Sequence, residues 1–445
     1  MKVAVVGTGY VGLVSGVCLA EKGHDVTCVD NDLAKVKKIN NATSPIFEEG
    51  LDDLLSANIG KHLRATADLR NAVLNSDVSL LAVGTPFDGN EIDLKFVRQV
   101  AKEIGESLKE KSDYHVVVVK STVVPGTTDN VVTPLLEEYS GKKAGKDFGV
   151  GMNPEFLREG VAIDDFMNPD RVVLGGLDVQ THEVMDALYA PFIGVDVMKT
   201  NNKTAEMIKY TSNSLLATLI SFSNEIGNLS AALGGVDVFD VMKGVHLDKR
   251  VSPILEDGQR IVPAITTYIE AGCGFGGSCF PKDVKALISH GESAGQTMSL
   301  LRAVIDINHM QPHQVLDLLY KHYPEVEGLN VAVLGLAFKP GTDDMRESPS
   351  IPIVNKLVAD KAIVRAYDPI AEEQAKQIFH GTDITYCGTV DDTVMGVDAV
   401  LLLTRWPELK DLPAILSRIG INPLVVDGRR MLSKHSFKFY EGIGV

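Results

Sequence analysis

The first thirty residues carry the pattern that most narrows the folds open to this chain. Residues 2–6 (KVAVV) form a short run of mostly β-branched apolar residues, typical of a buried parallel strand. The glycine segment GTGYVG follows at residues 7–12 and leads into a helical pattern. Asp30 ends a second predicted strand, eighteen residues after Gly12. A strand, a glycine loop, a helix and an acid at this distance predict a nucleotide-binding α/β unit.

Each glycine of this segment has a physical role in such a unit. Gly7 permits a tight turn, Gly9 lets a pyrophosphate approach the backbone, and Gly12 lets the helix pack closely on the strand. The positive end of the helix faces the phosphates. Asp30 can accept hydrogen bonds from ribose hydroxyls and would repel a 2′-phosphate, so the pattern predicts NAD rather than NADP. A glycine turn without a cofactor is the alternative.

Polar residues follow several of the later apolar strands. These strands are predicted at residues 78–83, 116–119, 149–152, 172–174 and 195–198. Because ligands bind beyond the carboxyl ends of parallel strands, Thr85 and Thr122 are candidate ligand contacts, with helix capping as the alternative. Glu155 and Glu159 would share one face if residues 155–159 were helical, which would suit acid/base chemistry. Solvated surface acids are the commoner explanation of such a pair.

A long helix and a glycine-rich cysteine loop occupy the middle of the chain. Residues 200–233 show one helical pattern with a broad apolar stripe, on which Lys209 and Asn213 share a face and predict a site lining or an exposed polar stripe. The loop GCGFGGSCFPKD spans residues 272–283. It places Cys279 at the positive end of a following helix, beside Lys282, and both features favour a thiolate. Cys279 is therefore a candidate nucleophile, with a small buried thiol as the alternative.

A second strand-then-glycine unit begins at residue 330, and the loop after its first strand contains Lys339 and Arg346 as candidate anion ligands. The predicted fold is α/β, with two Rossmann-like doubly wound domains joined by a long central helix and a small helical middle domain. We predict an NAD-binding domain at 1–200, a central helical domain with the cysteine loop at 201–324, and a C-terminal nucleotide-binding-like domain at 325–445.

Composition excludes several classes of function. The net charge of −16 argues against nucleic acid or an anionic membrane as a partner. No apolar run reaches membrane-spanning length, and the first residues do not resemble a signal peptide, so a cytoplasmic protein is expected. Five scattered cysteines favour reduced thiols, and the spacing of Cys273 and Cys279 matches no common zinc site. No metal is predicted.

Six motifs together resemble the UDP-glucose/GDP-mannose dehydrogenase family. In chain order they are GTGYVG, KSTVVPGTT, NPEFLREG, AEMIKYTSN, GFGGSCFPKD and GLAFKPGTDDMRESP. The resemblance spans nearly the whole chain and implies oxidation of a nucleotide-sugar alcohol to a carboxylate by two NAD+ without a metal. UDP-glucose is the expected substrate. GDP-mannose or a UDP-N-acetylhexosamine, a two-electron hydroxyacid dehydrogenase, and a non-catalytic nucleotide-binding protein are the alternatives.

The resemblance also implies roles for individual residues. Cys279 would be the nucleophile that forms a thiohemiacetal and then a thioester, while Lys209 and Asn213 stabilise the oxyanion and position the sugar. Asp283 would place water, Glu155 would assist thioester turnover, and Thr122 would form a hydrogen bond with the reaction water. The implied NAD contacts, besides the three glycines, are Val11, Asp30, Lys35, Thr85, Thr122, Glu159, Lys282 and Arg346. The implied nucleotide-sugar contacts, besides Lys209 and Asn213, are Glu155, Phe156, Leu157, Arg158, Glu159, Tyr268, Ile269, Glu270, Ala271, Gly272, Gly276 and Lys339.

Two departures from the family pattern lie before the cysteine loop. Residues 251–267 form a longer stretch than is usual, and His246 stands where a small residue is common. In relatives an arginine matching Arg250 reaches the site of a neighbouring subunit, and Arg250 is the corresponding candidate substrate contact here. The long apolar helix also leads us to expect a homodimer.

Overall fold

The computed structural model describes residues 1–445 and divides them into two compact units, Met1–Ser212 and Asn213–Val445. The first unit is built on one eight-stranded sheet. Its strands are β1 (Lys2–Val6), β2 (Asp25–Val29), β3 (Leu63–Thr66), β4 (Val78–Leu81), β5 (Val116–Val119), β6 (Gly149–Met152), β7 (Arg171–Gly176) and β8 (Asp196–Thr200). Their order in the sheet is β3-β2-β1-β4-β5-β6-β7-β8.

Helices cover both faces of this sheet. They are α1 (Tyr10–Glu21), α2 (Leu33–Asn40), α3 (Leu51–Asn58), α4 (Leu69–Leu74), α5 (Lys95–Leu108), α6 (Thr133–Ser140), α7 (Ala162–Met167) and α8 (Val179–Tyr189). The alternation of side chains along β1 explains the two layers, because Val3 and Val5 join one buried cluster while Ala4 and Val6 join the other. Strands buried on both faces read as continuous apolar runs, and this is why the sequence predicted them.

Two features of the first sheet differ from the sequence prediction. Strand β7 runs antiparallel to β6, so the last two strands depart from an all-parallel arrangement. Strand β3 was missed, because it has only four residues and its side chains alternate between buried Leu63 and exposed Arg64. Such a short edge strand lacks the apolar run on which the prediction depended.

The helix α9 (Asn202–Leu233) is continuous over 32 residues, as its apolar pattern predicted. Three more helices follow it in the second unit: α10 (Val238–His246), α11 (Phe280–Ser293) and α12 (Ser299–Tyr320). Between α10 and α11 the chain is irregular, with one antiparallel bridge between Ile254 and Arg260 and a 3-10 helix at Ala264–Tyr268.

The remainder of the second unit is a parallel six-stranded sheet of order β11-β10-β9-β12-β13-β14. Its strands are β9 (Asn330–Leu334), β10 (Ile363–Tyr367), β11 (Ile384–Tyr386), β12 (Ala399–Leu402), β13 (Leu424–Asp427) and β14 (Phe439–Gly442). Its helices are α13 (Ser350–Ala359), α14 (Glu372–Ile378), α15 (Val390–Val394) and α16 (Leu412–Ile419). None of the helices in the chain combines the length and the apolar character that crossing a bilayer would require.

Candidate active site

The glycine loop after β1 has the geometry that a dinucleotide requires. Gly7 has a φ of 99°, and a Cβ built on it would lie 2.6 Å from the carbonyl oxygen of Ala82. A Cβ on Gly12 would lie 1.9 Å from the Gly7 carbonyl oxygen, so only glycine allows α1 to pack this closely. A Cβ on Gly9 would meet nothing within 4 Å, so the backbone before α1 faces open space. These features fit a bound pyrophosphate, and Val11 lies in the first turn of α1.

Asp30 lies where β2 ends and is held by this same loop. Its Oδ2 accepts hydrogen bonds from the Thr8 backbone N–H at 2.9 Å and the Thr8 hydroxyl at 2.6 Å, and its Oδ1 accepts one from the Asp32 N–H at 2.9 Å. Burial alone would raise the pKa of Asp30, but these donors and Lys35, with its Nζ 4.0 Å away, lower it. The side chain is therefore an anion suited to accept bonds from ribose hydroxyls.

Thr85 and Thr122 lie on neighbouring loops after β4 and β5 and contact each other. The Thr85 hydroxyl donates to the Thr122 carbonyl oxygen at 2.8 Å. Neither threonine caps a helix, because Leu94 is the cap of α5 and Thr127 is the cap of the π-helical turn before α6. The capping alternative is therefore wrong for both residues.

Glu155 forms a buried ion pair with Lys209 of α9. The Lys209 Nζ lies 2.9 Å from the Glu155 Oε1, and the side chains are only 4% and 5% exposed. Burial alone would raise the pKa of Glu155, but Lys209, the Leu157 N–H and Lys120 lower it below its usual value. The carboxylate is thus kept ionised in a site from which water is largely excluded.

Residues 155–159 are not helical, so the idea that Glu155 and Glu159 share a helix face is wrong. Helix α7 begins only at Ala162. Glu155 instead accepts a hydrogen bond from the Leu157 N–H at 2.7 Å, and this local bond competes with helix formation. The guanidinium carbon of Arg171 lies over the Phe156 ring, 3.9 Å from its centre.

The other residues of this segment are held within the first unit. The exposed Arg158 pairs with Asp165, its Nε lying 3.0 Å from Oδ2. Glu159 is partly buried beside Gly160, whose N–H donates to Glu48 at 2.7 Å. The segment therefore follows β6 as an ordered loop rather than as a helix.

Cys279 is the N-cap of α11, as the sequence predicted. The helix begins at Phe280 with Pro281 in its first turn, and the Asp283 N–H donates to the Cys279 carbonyl oxygen at 2.8 Å. The thiol is partly exposed, and its Sγ lies 3.4 Å from the Ser278 hydroxyl oxygen. This position gives the sulfur the positive end of a 14-residue helix, which favours its anionic form.

Asp283 connects α11 to the part of α9 that lies in the second unit. Its Oδ2 accepts a hydrogen bond from the Asn213 Nδ2 at 2.6 Å, and its Oδ1 lies 2.6 Å from the Lys282 Nζ. Asp283 is 1% exposed and Asn213 is 8% exposed, so both polar side chains are buried and satisfied. Lys209 is one turn from Asn213 on the same helix, as its spacing predicted.

The glycines before Cys279 are needed for close contact with the loop after β9. A Cβ on Gly276 would lie 2.3 Å from the Glu347 carbonyl oxygen, and one on Gly277 would lie 2.7 Å from the Phe338 ring. The Gly277 N–H donates to the Arg346 carbonyl oxygen at 2.8 Å. The Arg346 side chain pairs with Asp344.

Lys339 and Arg250 are the remaining predicted contacts with basic side chains. The Lys339 Nζ lies 5.7 Å from the centre of the neighbouring Phe338 ring, in the loop after β9. Arg250 pairs with Asp248 and its side chain is 90% exposed. Within the second unit Arg250 therefore lies at the surface.

Several polar residues that hold residues 268–272 were missed from the sequence. Asn224 accepts a hydrogen bond from the Gly272 N–H, and Gln311 donates to the Gly272 carbonyl oxygen, each at 2.8 Å. Arg405 donates to Glu270 at 2.6 Å. The available signal was a buried amide within the apolar stripes of α9 and α12, because such groups require a partner.

The rest of that segment is equally ordered. The carbonyl oxygen of Ile269 lies 3.1 Å from the His246 Nε2, and the Tyr268 ring packs 6.3 Å from that of Phe280. Ala271 is buried against α9, where a Cβ on Gly227 would lie 3.0 Å from its methyl group.

The glycine loop after β1 and the anionic Asp30 indicate the class of NAD-dependent oxidoreductases. Three family models match the chain and narrow this class. The NAD-binding, central and UDP-binding domains of the UDP-glucose/GDP-mannose dehydrogenase family match residues 1–193, 203–310 and 332–434. The chain belongs to the UDP-glucose/GDP-mannose dehydrogenase family, and its cofactor is NAD.

Individual relatives agree over the full length. The UDP-glucose 6-dehydrogenase AglM of Haloferax volcanii is 40% identical, covering 100% of both chains. The UDP-glucose 6-dehydrogenase TuaD of Bacillus subtilis is 41% identical and covers 100% of this chain and 93% of its own. A solved UDP-glucose dehydrogenase from Pyrobaculum islandicum has a TM-score of 0.89 at 36% identity, covering 99% of this chain and 97% of its own.

Proposed function

We propose that the protein is a UDP-glucose 6-dehydrogenase, which oxidises the C6 alcohol of UDP-glucose to the carboxylate of UDP-glucuronate. The observation that carries this proposal is Cys279 at the N-terminus of α11, in a glycine loop within an NAD-dependent family. Bound NAD+ accepts a hydride in each of two successive oxidations. A two-electron hydroxyacid dehydrogenase would not need this thiol.

Cys279 holds the sugar between the two oxidations. The alcohol first loses a hydride and a proton to become an aldehyde. The Cys279 thiolate adds to the aldehyde carbon, and the oxyanion takes up a proton to form a thiohemiacetal. Loss of a second hydride and of that proton leaves a thioester, and water then cleaves the carbon–sulfur bond to release the carboxylate and the thiol.

The polar residues around α9 and α11 support these steps. Lys209 and Asn213 stabilise the oxyanion and position the sugar, and Asp283 orients the attacking water. The buried carboxylate of Glu155 assists hydrolysis of the thioester, with Thr122 as a hydrogen-bond partner of the water.

We assign the other predicted contacts in the same way. NAD is bound by the glycine loop with Val11, Asp30, Lys35, Thr85, Glu159, Lys282 and Arg346, and the sugar nucleotide by residues 155–159, 268–272, Gly276, Lys339 and Arg250. The chain is divided by function into residues 1–200, 201–324 and 325–445. Free thiols at all five cysteines support a reducing compartment, and we propose the cytoplasm.

The stoichiometry of NADH formation tests this proposal. We expect two NADH for each UDP-glucose consumed, and we expect Cys279→Ser to reduce steady-state turnover by at least a thousandfold, because a hydroxyl at this position is a poorer nucleophile and leaving group. Cys387→Ser is the matched control, because Cys387 is a buried thiol outside the proposed site, and it should keep wild-type stoichiometry. Normal turnover by Cys279→Ser would contradict the thioester route.

Another nucleotide sugar is the alternative substrate within the same chemistry. Measuring NADH release with UDP-glucose, GDP-mannose and UDP-N-acetylhexosamines separates the candidates. Activity confined to one of the latter two would replace UDP-glucose while leaving the role of Cys279 intact.

We also propose a homodimer formed through α9. Leu215, Phe222 and Leu229 recur every seven residues on this helix, and their side chains are about half exposed. An apolar stripe of this kind suits pairing with a second copy. Sedimentation should give a dimer for the wild type and a monomer for Phe222→Glu, whereas a monomeric wild type would contradict the proposal.

A further inference from the structure

Lys120 is a buried lysine that the proposed reaction does not use. It lies directly after β5 and is 3% exposed. Its Nζ is 2.8 Å from the Asn153 Oδ1 and 3.5 Å from the Tyr189 hydroxyl oxygen, and it lies 5.7 Å from the centre of the Phe166 ring. None of these three groups is an anion. A buried ammonium is costly unless an opposite charge compensates it.

The compensating charge is the carboxylate of Glu155. Among the groups that face Lys120, Glu155 favours its protonated form, Lys209 disfavours it, and the hydroxyl of Tyr189 is neutral because burial raises its pKa. Two lysines thus favour the ionised form of Glu155, Lys209 through direct contact and Lys120 through its electrostatic field. Two cations offset one buried anion.

Lys120 also fixes the backbone that carries Glu155. Asn153 accepts the Lys120 hydrogen bond through its Oδ1 and donates through its Nδ2 to the Val173 carbonyl oxygen at 2.9 Å. Asn153 is two residues before Glu155, and both are buried. The loops that follow β5 and β6 are therefore joined by the hydrogen bond between Lys120 and Asn153, two residues before Glu155 in the chain.

We propose that Lys120 is a positioning residue that keeps Glu155 ionised and in place for hydrolysis of the thioester. This inference rests on the proposed function, because it requires Glu155 to act as a carboxylate. Lys209 also stabilises the oxyanion in that function, so its charge is shared between two tasks. Lys120 supplies a second charge that serves Glu155 alone.

The pH range of this effect follows from the environment of Lys120. Burial lowers the pKa of Lys120 to about 8, although Glu155 opposes the shift. The Lys120 ammonium is therefore present at neutral and acidic pH. In this range Glu155 is more readily protonated than at high pH, so the charge of Lys120 matters most there. Above pH 8 Lys120 is mostly neutral, and its charge no longer contributes.

The test compares the pH dependence of kcat for the wild type, Lys120→Met and Lys120→Arg with UDP-glucose and NAD+. Lys120→Met removes the charge in a side chain of similar length, so the pKa of Glu155 rises and the acidic limb moves to higher pH. We expect a loss of roughly threefold to tenfold at pH 6 that disappears above pH 8, where the wild-type lysine is also neutral. Lys120→Arg keeps the charge and should keep the acidic limb.

Lys111→Met is the matched control for the loss of a buried lysine. Lys111 is 9% exposed and donates to the carbonyl oxygens of Val73 and Leu74, and no residue of the proposed site contacts it. It should leave the shape of the pH profile unchanged. A loss by Lys120→Met that is equal at all pH values, or no loss at all, would reduce Lys120 to a structural residue.

Two further outcomes are decisive. If Lys120→Met does not fold, a displaced acidic limb in Lys120→Arg would overturn the proposal and an unchanged limb would support it. The proposed UDP-glucose 6-dehydrogenase function is tested separately. If that function is wrong, the wild type will not form two NADH for each UDP-glucose. The Lys120 comparison concerns only the pH profile of the turnover that is present.

Discussion

The two Rossmann-like sheets begin with the same arrangement of a strand followed by a glycine. The segments that follow these glycines differ. Each has a strand followed by a glycine with positive φ, Gly7 at 99° and Gly335 at 93°. A Cβ on Gly7 would collide with Ala82, just after β4, and a Cβ on Gly335 would collide with Thr404, just after β12. After Gly7 the helix α1 begins within three residues, whereas fifteen residues separate β9 from α13. The first sheet thus presents a helix N-terminus to a ligand, and the second presents a loop that carries Lys339.

The acids that end the second strand of each sheet show the same divergence. Asp368, after β10, accepts backbone N–H bonds from Leu336, Ala337, Ile370 and Ala371 and a bond from the Trp406 indole, all within 3.0 Å. It is 5% exposed, and its bonds to the chain leave it unsuited to a ribose. Asp30 is more accessible and accepts bonds from two residues only. The acid at this position is therefore held by five donors of the chain in the second sheet, whereas in the first sheet it keeps the capacity to accept bonds from a ligand.

The difference between the two acids is tested most strongly by Asp368→Ala, for which we expect the largest effect, a loss of stability. It leaves five donors, most of them buried, without their acceptor, so we expect the free energy of unfolding to fall by about 3 kcal/mol. Trp406 is the only tryptophan and bonds to Asp368, so its fluorescence during urea unfolding reports on this domain. Asp30→Ala is the control and should leave the Trp406 transition unchanged. An equal effect of both substitutions would mean that the two acids do not differ in role.

A smaller effect, on function rather than stability, is expected from Asp30→Ala. Loss of the carboxylate removes an anionic acceptor for the ribose, so the KM for NAD+ should rise about tenfold, with the KM for UDP-glucose unchanged. Discrimination against NADP+ should also weaken, because the repulsion of a 2′-phosphate is lost. Steady-state kinetics with both cofactors measures this. An unchanged KM for NAD+ would show that Asp30 is as structural as Asp368.

The sequence predicted most of the strands, because buried strands read as apolar runs, and it located Cys279, because glycines and Pro281 mark a turn that starts a helix. It failed where neighbours distant in the chain decide the conformation. The segment after β6 contains no strong helix breaker after Pro154, yet Glu155 bonds to its own backbone and to Lys209, and no helix forms there. The apolar stripes of α9 and α12 indicate that Asn224 and Gln311 are buried and need partners, but the local pattern does not identify Gly272 as that partner.

What the sequence by itself determined was the fold class, the glycine loop of the NAD-binding domain and the position of Cys279 at the start of a helix, because each depends on residues adjacent in the chain. Only the tertiary structure decided that Lys209 pairs with Glu155, that Lys120 bonds to Asn153, and that Asp368 accepts hydrogen bonds from the surrounding chain. These are contacts between side chains tens of residues apart or more, and burial determines their charges. A local pattern specifies backbone conformation, whereas the protonation state of a buried group depends on which charges the fold brings near it.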